Sequence, residues 1–146
     1  MPYLDAVISE TLRKYPPATL LTREASTRYE LGSTGLTLFK GQSIEIPVYA
    51  IHHSEEYFPN ADKFIPERFL PENRHKIVPY TYLPFGAGPR NCIGMRFALT
   101  EAKLGLASII QKYRFSRGPR TEVPLSFKNG IALLQPKDVF VRIHER

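Results

Sequence analysis

The chain has a single cysteine, and the residues around it suit a sulfur that binds a metal or reacts. In the run Phe85-Gly86-Ala87-Gly88-Pro89-Arg90-Asn91-Cys92-Ile93-Gly94, two glycines and a proline come just before the thiol. Such a stretch predicts a tight loop whose exposed backbone can approach a flat ligand closely. Apolar residues at helical spacing follow, among them Phe97, Ala98, Leu104, Ala107 and Ile110, so a helix is predicted from about Cys92 to Tyr113. A cysteine in the first turn of that helix meets unpaired N–H groups and the positive end of the dipole, and both favour the thiolate. A thiolate under backbone donors is a strong ligand for a redox metal, with its basicity tuned by those hydrogen bonds.

Other readings of Cys92 remain open at this point. A lone cysteine also serves as inert packing, and a helix N-terminus also activates a catalytic thiol. The catalytic reading needs a histidine base, and none of His52, His53, His75 and His144 stands in a motif that would place it beside Cys92. Zinc is excluded on spacing, because a single cysteine with no paired Cys-x-x-Cys or His-x-x-x-His provides no ligand set.

Three further groups of charged residues stand out. Glu10 and Arg13 stand three apart on a predicted helix and share a face, as a surface ion pair or as part of a larger network. Arg23 falls on the first strand-like run after that helix, and Arg68 within Pro66-Glu67-Arg68-Phe69.

The elements that must position these residues read as mixed α and β. Leu4, Val7, Ile8, Leu12 and Tyr15 give a helix over residues 3–15, stopped by Pro16-Pro17. Short strand-like runs follow at 19–30, 36–39 and 43–47, with turns at Gly32, Gly35 and Lys40-Gly41. A brief helical turn is expected at 48–53. Residues 54–84 show no period and many prolines, and so predict a loop of unusual length that needs a functional reason. Strands are expected at 114–116, 131–134 and 139–143.

Hydrophobic residues at 42% and charged residues at 23% predict a globular chain. The net charge of +6 raises nucleic acid as a partner. The bases are scattered, however, with no Lys/Arg and aromatic alternation to form a stacking platform, so no nucleic-acid partner is expected. A solvated surface, or a docking face for an acidic protein, fits the pattern. No run reaches the ~18 apolar residues of a membrane span, and the start of the chain reads as an internal cut rather than a leader.

Phe85, Gly88, Arg90, Cys92 and Gly94 together form Phe-x-x-Gly-x-Arg-x-Cys-x-Gly, which resembles the haem-binding signature of the cytochrome P-450 superfamily at every fixed position. Glu10-Thr11-Leu12-Arg13 resembles that family's Glu-x-x-Arg helix, and Pro66-Glu67-Arg68-Phe69 its later arginine segment. The likeness runs from Leu4 to the end of the chain. It implies an α+β fold forming the C-terminal, haem-binding portion of a longer domain, with residues 1–146 as one partial unit. It also implies haem b with Cys92 as axial iron ligand, Arg90 and Arg23 on the propionates, Phe85 shielding the sulfur, and room for the backbone at Gly88 and Gly94. Glu10, Arg13 and Arg68 would form a structural network beneath the haem. Ala18, Thr19, Leu20 and Leu21, with Ile131, Ala132 and Leu133, fall where the family contacts substrate, although taken alone they read equally as core.

The implied activity is monooxygenation of a small apolar substrate. Met95-Arg96-Phe97-Ala98 resembles the microsomal branch, which implies electrons from NADPH through a flavoprotein reductase. It also implies anchorage at the cytoplasmic face of the endoplasmic reticulum membrane. Arg96, Lys103, Arg74 and Lys76 would supply a basic docking face. Nothing in the chain resembles the family's oxygen-activating helix, with its acid and threonine, or its N-terminal anchor. The chain alone is therefore expected to be inactive. The contrasting reading is a basic interaction domain that keeps the fold without haem.

Overall fold

The computed structural model describes residues 1–128 and 133–146. Helix α1 spans Pro2–Lys14, one residue off the predicted bounds. Pro2 suits a first turn, where its missing N–H costs nothing, and Asp5 near the start and Arg13 and Lys14 at the end complement the helix dipole. The helix stops where the sequence requires. Tyr15, forced out of helical space by the following proline, stands at φ −132°, ψ 63°. The buried face differs from the apolar stripe, because Ala6, Ile8, Glu10 and Arg13 are its buried residues. Two charged side chains occupy the centre of that face.

The strands form three antiparallel pairs. Strand β1 (Leu21–Glu24) pairs with β4 (Ser43–Ile46), with Arg23 opposite Ile44. Strand β2 (Tyr29–Glu30) pairs with β3 (Thr37–Leu38), and β5 (Tyr113–Arg117) with β6 (Val141–Glu145). The last strand thus starts two residues later than predicted. Burial alternates along β1, so Leu21 and Arg23 share its inner face. Helix α2 (Val48–His52) is the short helical turn expected there.

Residues 54–84 hold no α-helix or strand, as expected of a loop, yet they are closely packed. They contain 3₁₀ turns at Pro66–Phe69 and Arg74–Lys76, and they carry most of the core. Phe58, Ala61 and Phe69 are buried against Ala6 of α1, with Tyr57, Leu70, Ile77 and Tyr82 packed around them. The Glu55 carboxylate accepts the Asn60 and Ala61 N–H groups at 2.7 and 2.9 Å. The segment is aperiodic because each apolar side chain reaches α1 from its own turn, not because it lacks structure.

Helix α3 spans Met95–Lys112 and buries none of its residues. Phe97 is 73% and Leu104 64% exposed. Among the described residues no helix is long and apolar enough to cross a membrane.

Candidate metal centre at Cys92

The loop before α3 is held by its own backbone. Gly86 and Gly88 take φ of 73° and 76°, a region side chains with a Cβ rarely enter. The N–H of Gly86 donates to Leu83 O at 3.0 Å, and that of Cys92 to Phe85 O at 2.8 Å. Between them Gly88–Arg90 forms a single 3₁₀ turn. Cys92 is exposed and unpaired.

The helix starts later than the sequence suggests, at Met95 with Gly94 as its N-cap, so Cys92 lies just upstream of the first turn and not in it. The bond to Phe85 O closes the loop on the cysteine and keeps its backbone out of helical register. Gly94 matters through proximity to the sulfur, since a Cβ there would lie 3.9 Å from Cys92 Sγ.

Arg23 reaches the same loop from β1. Its Nη2 donates to Arg90 O at 3.3 Å and would lie 3.7 Å from a Cβ at Gly86. The structure therefore brings Arg23, remote in sequence, onto the loop that carries Arg90 and Cys92. Phe85 is half-buried behind the loop, while Arg90 is exposed.

Glu10, Arg13 and Arg68 meet where α1 packs on the turn-rich segment. Both side chains of the Glu10 and Arg13 pair are 0% exposed. Arg13 donates Nε to Glu10 Oε2 at 2.8 Å and Nη2 to Oε1 at 2.9 Å, the bidentate geometry that suits guanidinium and carboxylate. Its remaining donors meet the carbonyls of His52, Ala61 and Lys63 at 2.7, 2.9 and 3.1 Å. Glu10 Oε1 also accepts the Ile65 N–H at 2.8 Å. Arg68 is less tightly held. Its Nε stands 3.7 Å from Glu10 Oε1, and its Nη2 donates to the carbonyls of Pro59 and Asn60. Burial, outweighing the pull of Glu10, lowers the Arg68 pKa. The pair is thus no surface salt bridge. It ties α1 to the turn-rich segment.

His52, which the sequence offered only as an unplaced base, is fully buried here. Its Nε2 accepts the Leu83 N–H at 2.8 Å, and its Nδ1 lies 3.1 Å from Arg13 O. Burial depresses its pKa to about 4. Tyr82 stacks on it and donates its hydroxyl to Ser9 O, and burial raises that phenol to about 12. No spacing rule would have marked His52, because its partners are backbone groups remote in sequence.

Residues 1–142 match the family described as Cytochrome P-450. The chain belongs to the cytochrome P-450 family. It is 44% identical to probable cytochrome P-450 6a13 of Drosophila melanogaster over 94% of its length. It is 47% identical to thromboxane-A synthase of Mus musculus and 44% identical to cytochrome P-450 3A2 of Rattus norvegicus, in each case over 100% of its length. The chain spans 27–29% of the length of these relatives.

The residues present fit the haem that a cytochrome P-450 implies. Among the described residues no group of three His, Cys, Asp or Glu side chains could hold a metal. A metal at Cys92 must therefore bring its other ligands, as an iron porphyrin does. The sulfur is exposed, its loop carries Arg90 and is touched by Arg23, both able to pair with carboxylates, and glycines stand at 88 and 94.

The predicted substrate segments also converge. Ala18 forms a bridge with Leu133, and Leu134 N–H donates to Pro17 O at 2.9 Å. Leu20 is exposed and Leu21 half-buried, and Thr19 O accepts the Tyr49 N–H at 3.1 Å. Ile131 and Ala132 lie outside the described residues. Of the four bases expected at a docking face, Lys103 forms an ion pair with Asp5 of α1 and lowers that carboxyl's pKa. Lys76 donates to Asn73 Oδ1. Arg96 and Arg74 are exposed.

Proposed function

We propose that this chain forms the thiolate side of a haem monooxygenase acting on a small apolar substrate. The observation that carries the reading is the exposed Cys92 in a backbone-closed loop that also carries Arg90 and is bonded by Arg23. Cys92 would provide the axial sulfur of haem b, Arg90 and Arg23 would pair with its propionates, and Phe85 would lie against the sulfur. Gly88 and Gly94 would let the backbone approach. When bound, the haem supplies reductive activation of O₂, in which one oxygen atom enters the substrate, the other leaves as water, and the thiolate's electron donation favours O–O cleavage. The protein's own residues hold and orient. Glu10, Arg13 and Arg68 would pin the turn-rich segment to α1. Ala18, Thr19, Leu20 and Leu21, with Ile131, Ala132 and Leu133, would form an apolar edge toward substrate.

Electrons would come from NADPH through a flavoprotein reductase, docking near the exposed Arg96 and Arg74. The microsomal character of Met95-Arg96-Phe97-Ala98 supports this donor and a location on the cytoplasmic face of the endoplasmic reticulum membrane. Held by an N-terminal anchor, the whole protein would meet both reductase and substrate at that surface. The test is to express the chain within its complete family domain and measure haem content and reductase-dependent oxygenation. One haem per chain with oxygenated product is expected. A folded, haem-free protein would instead favour a basic interaction domain.

A further inference from the structure

None of the assigned roles uses His52, although it is fully buried and its ring is held from four sides. Tyr82 stacks on the ring at 5.5 Å and Phe58 meets it edge-on at 6.2 Å. Arg13 O lies 3.1 Å from Nδ1, and the Leu83 N–H points at Nε2 from 2.8 Å. A backbone N–H can only donate, so Nε2 must be the unprotonated nitrogen. The proton is then on Nδ1, donated to Arg13 O. The imidazole is thus a fixed two-way connector between the end of α1 and Leu83.

Leu83 is where the cysteine loop begins. Its carbonyl accepts the Gly86 N–H, and two residues on, Phe85 O accepts the N–H of Cys92. Through His52 an unbroken run of hydrogen bonds therefore leads from the buried helix to the ligand loop. On the α1 side the Arg13 guanidinium also binds the His52 carbonyl at 2.7 Å, so both ends of the residue are fastened to one rigid element. The charged and titratable groups facing the ring are Arg13, with Glu10 paired to it, His53 next in the chain, and Tyr82 from the segment before the cysteine loop. A second proton on the ring would set an N–H against the Leu83 N–H and add a cation beside Arg13. Burial, the largest effect, holds the ring neutral against the opposing bond to Arg13 O, and the Arg13 charge adds a smaller push the same way as burial.

We propose that His52 is a positioning residue for the thiolate ligand, setting the entry of the cysteine loop through its hydrogen bond to Leu83. This inference rests on the proposed haem-thiolate function, and its test separates the two. In the haem-loaded protein with its complete domain, His52→Asn keeps an amide near the Nδ1 position but cannot reach Leu83, whereas His52→Gln extends to the Nε2 position. Hydrogen exchange should quicken about tenfold at the Leu83 amide in the Asn variant. The share of ferrous–CO complex with thiolate-type absorption, per haem, should fall with it. Both readouts should return toward wild type in the Gln variant. Val48→Ala, at a fully buried position on the same short helix, should lower the melting temperature and move neither readout.

Wild-type exchange and an unchanged thiolate share in His52→Asn would overturn the proposal. So would equal changes in Val48→Ala, which would mark the effect as general loosening. If His52→Asn does not fold, nitrogen-15 shifts of His52 in the wild-type ferrous–CO protein decide the question. A neutral Nδ1–H ring is expected, and an Nε2–H ring or an imidazolium would refute the geometry. If the wild-type protein binds no thiolate-ligated haem, the proposed function fails, while the exchange at Leu83 still judges the connector.

Discussion

Replacing Glu10 with alanine should remove most of the stability of the domain that holds Cys92. Glu10 is fully buried and answers three groups at once: Arg13 through two bonds, the Ile65 N–H at 2.8 Å, and Arg68 at 3.7 Å. Arg13 keeps its three carbonyl acceptors in the variant, so its donors are not all orphaned. It does lose its only buried counter-charge among the described residues, and breaking a buried pair in this way costs roughly 3–5 kcal/mol. The Ile65 N–H, left without an acceptor, adds about 1–3 kcal/mol. Against a typical domain stability of about 5–15 kcal/mol, the two losses are large. Glu10→Gln keeps an oxygen for Ile65 while leaving the cations uncompensated, and should fall between. The assay is urea unfolding of the haem-loaded complete domain, with haem retention recorded alongside. If Glu10→Ala kept the wild-type unfolding midpoint and haem content, the network could not be what fastens the turn-rich segment to α1.

Two further outcomes follow from single side chains. His52 titrates near 6.5 when unfolded but at about 4 when folded, so the unfolded chain gains its proton first, and stability should fall as pH drops from 6.5 toward 4, by about 3 kcal/mol in all. His52→Gln should flatten that part of the pH–stability curve, and parallel curves for the two proteins would exclude His52 as the source. Arg96→Glu should slow reduction by the reductase on the order of threefold to tenfold at low ionic strength and less at high salt, with the haem spectrum unchanged. Reduction at the wild-type rate would return Arg96 to the solvated surface, while Lys103→Glu, which breaks the ion pair with Asp5, would report on helix packing instead.

The cysteine loop was legible because its determinants are local. Glycines that need positive φ, a proline and a cysteine within ten residues define a backbone shape with little help from elsewhere. The pairing of Glu10 with Arg13 was legible as shared helical facing, but not its burial, which depends on carbonyls from residues 52, 61 and 63. The segment 54–84 was legible as a loop of turns but not as a carrier of the core, because packing against α1 from successive turns leaves no periodic trace. The start of α3 was placed three residues early, since the bond from Cys92 N–H to Phe85 O lies outside any helical pattern. His52 was missed for a related reason: its role comes from an N–H and a carbonyl, which every residue type supplies.

The central claim is that Cys92 ligates the iron of a haem, and the ferrous–CO absorption spectrum of the complete protein tests it most directly. Wild type should show the thiolate-type band, and Cys92→Ala should lose it, since no other residue of the loop carries a thiol. Cys92→His should bind CO, if it holds haem at all, with an imidazole-type band. A Cys92→Ala protein that kept the thiolate band would contradict the account.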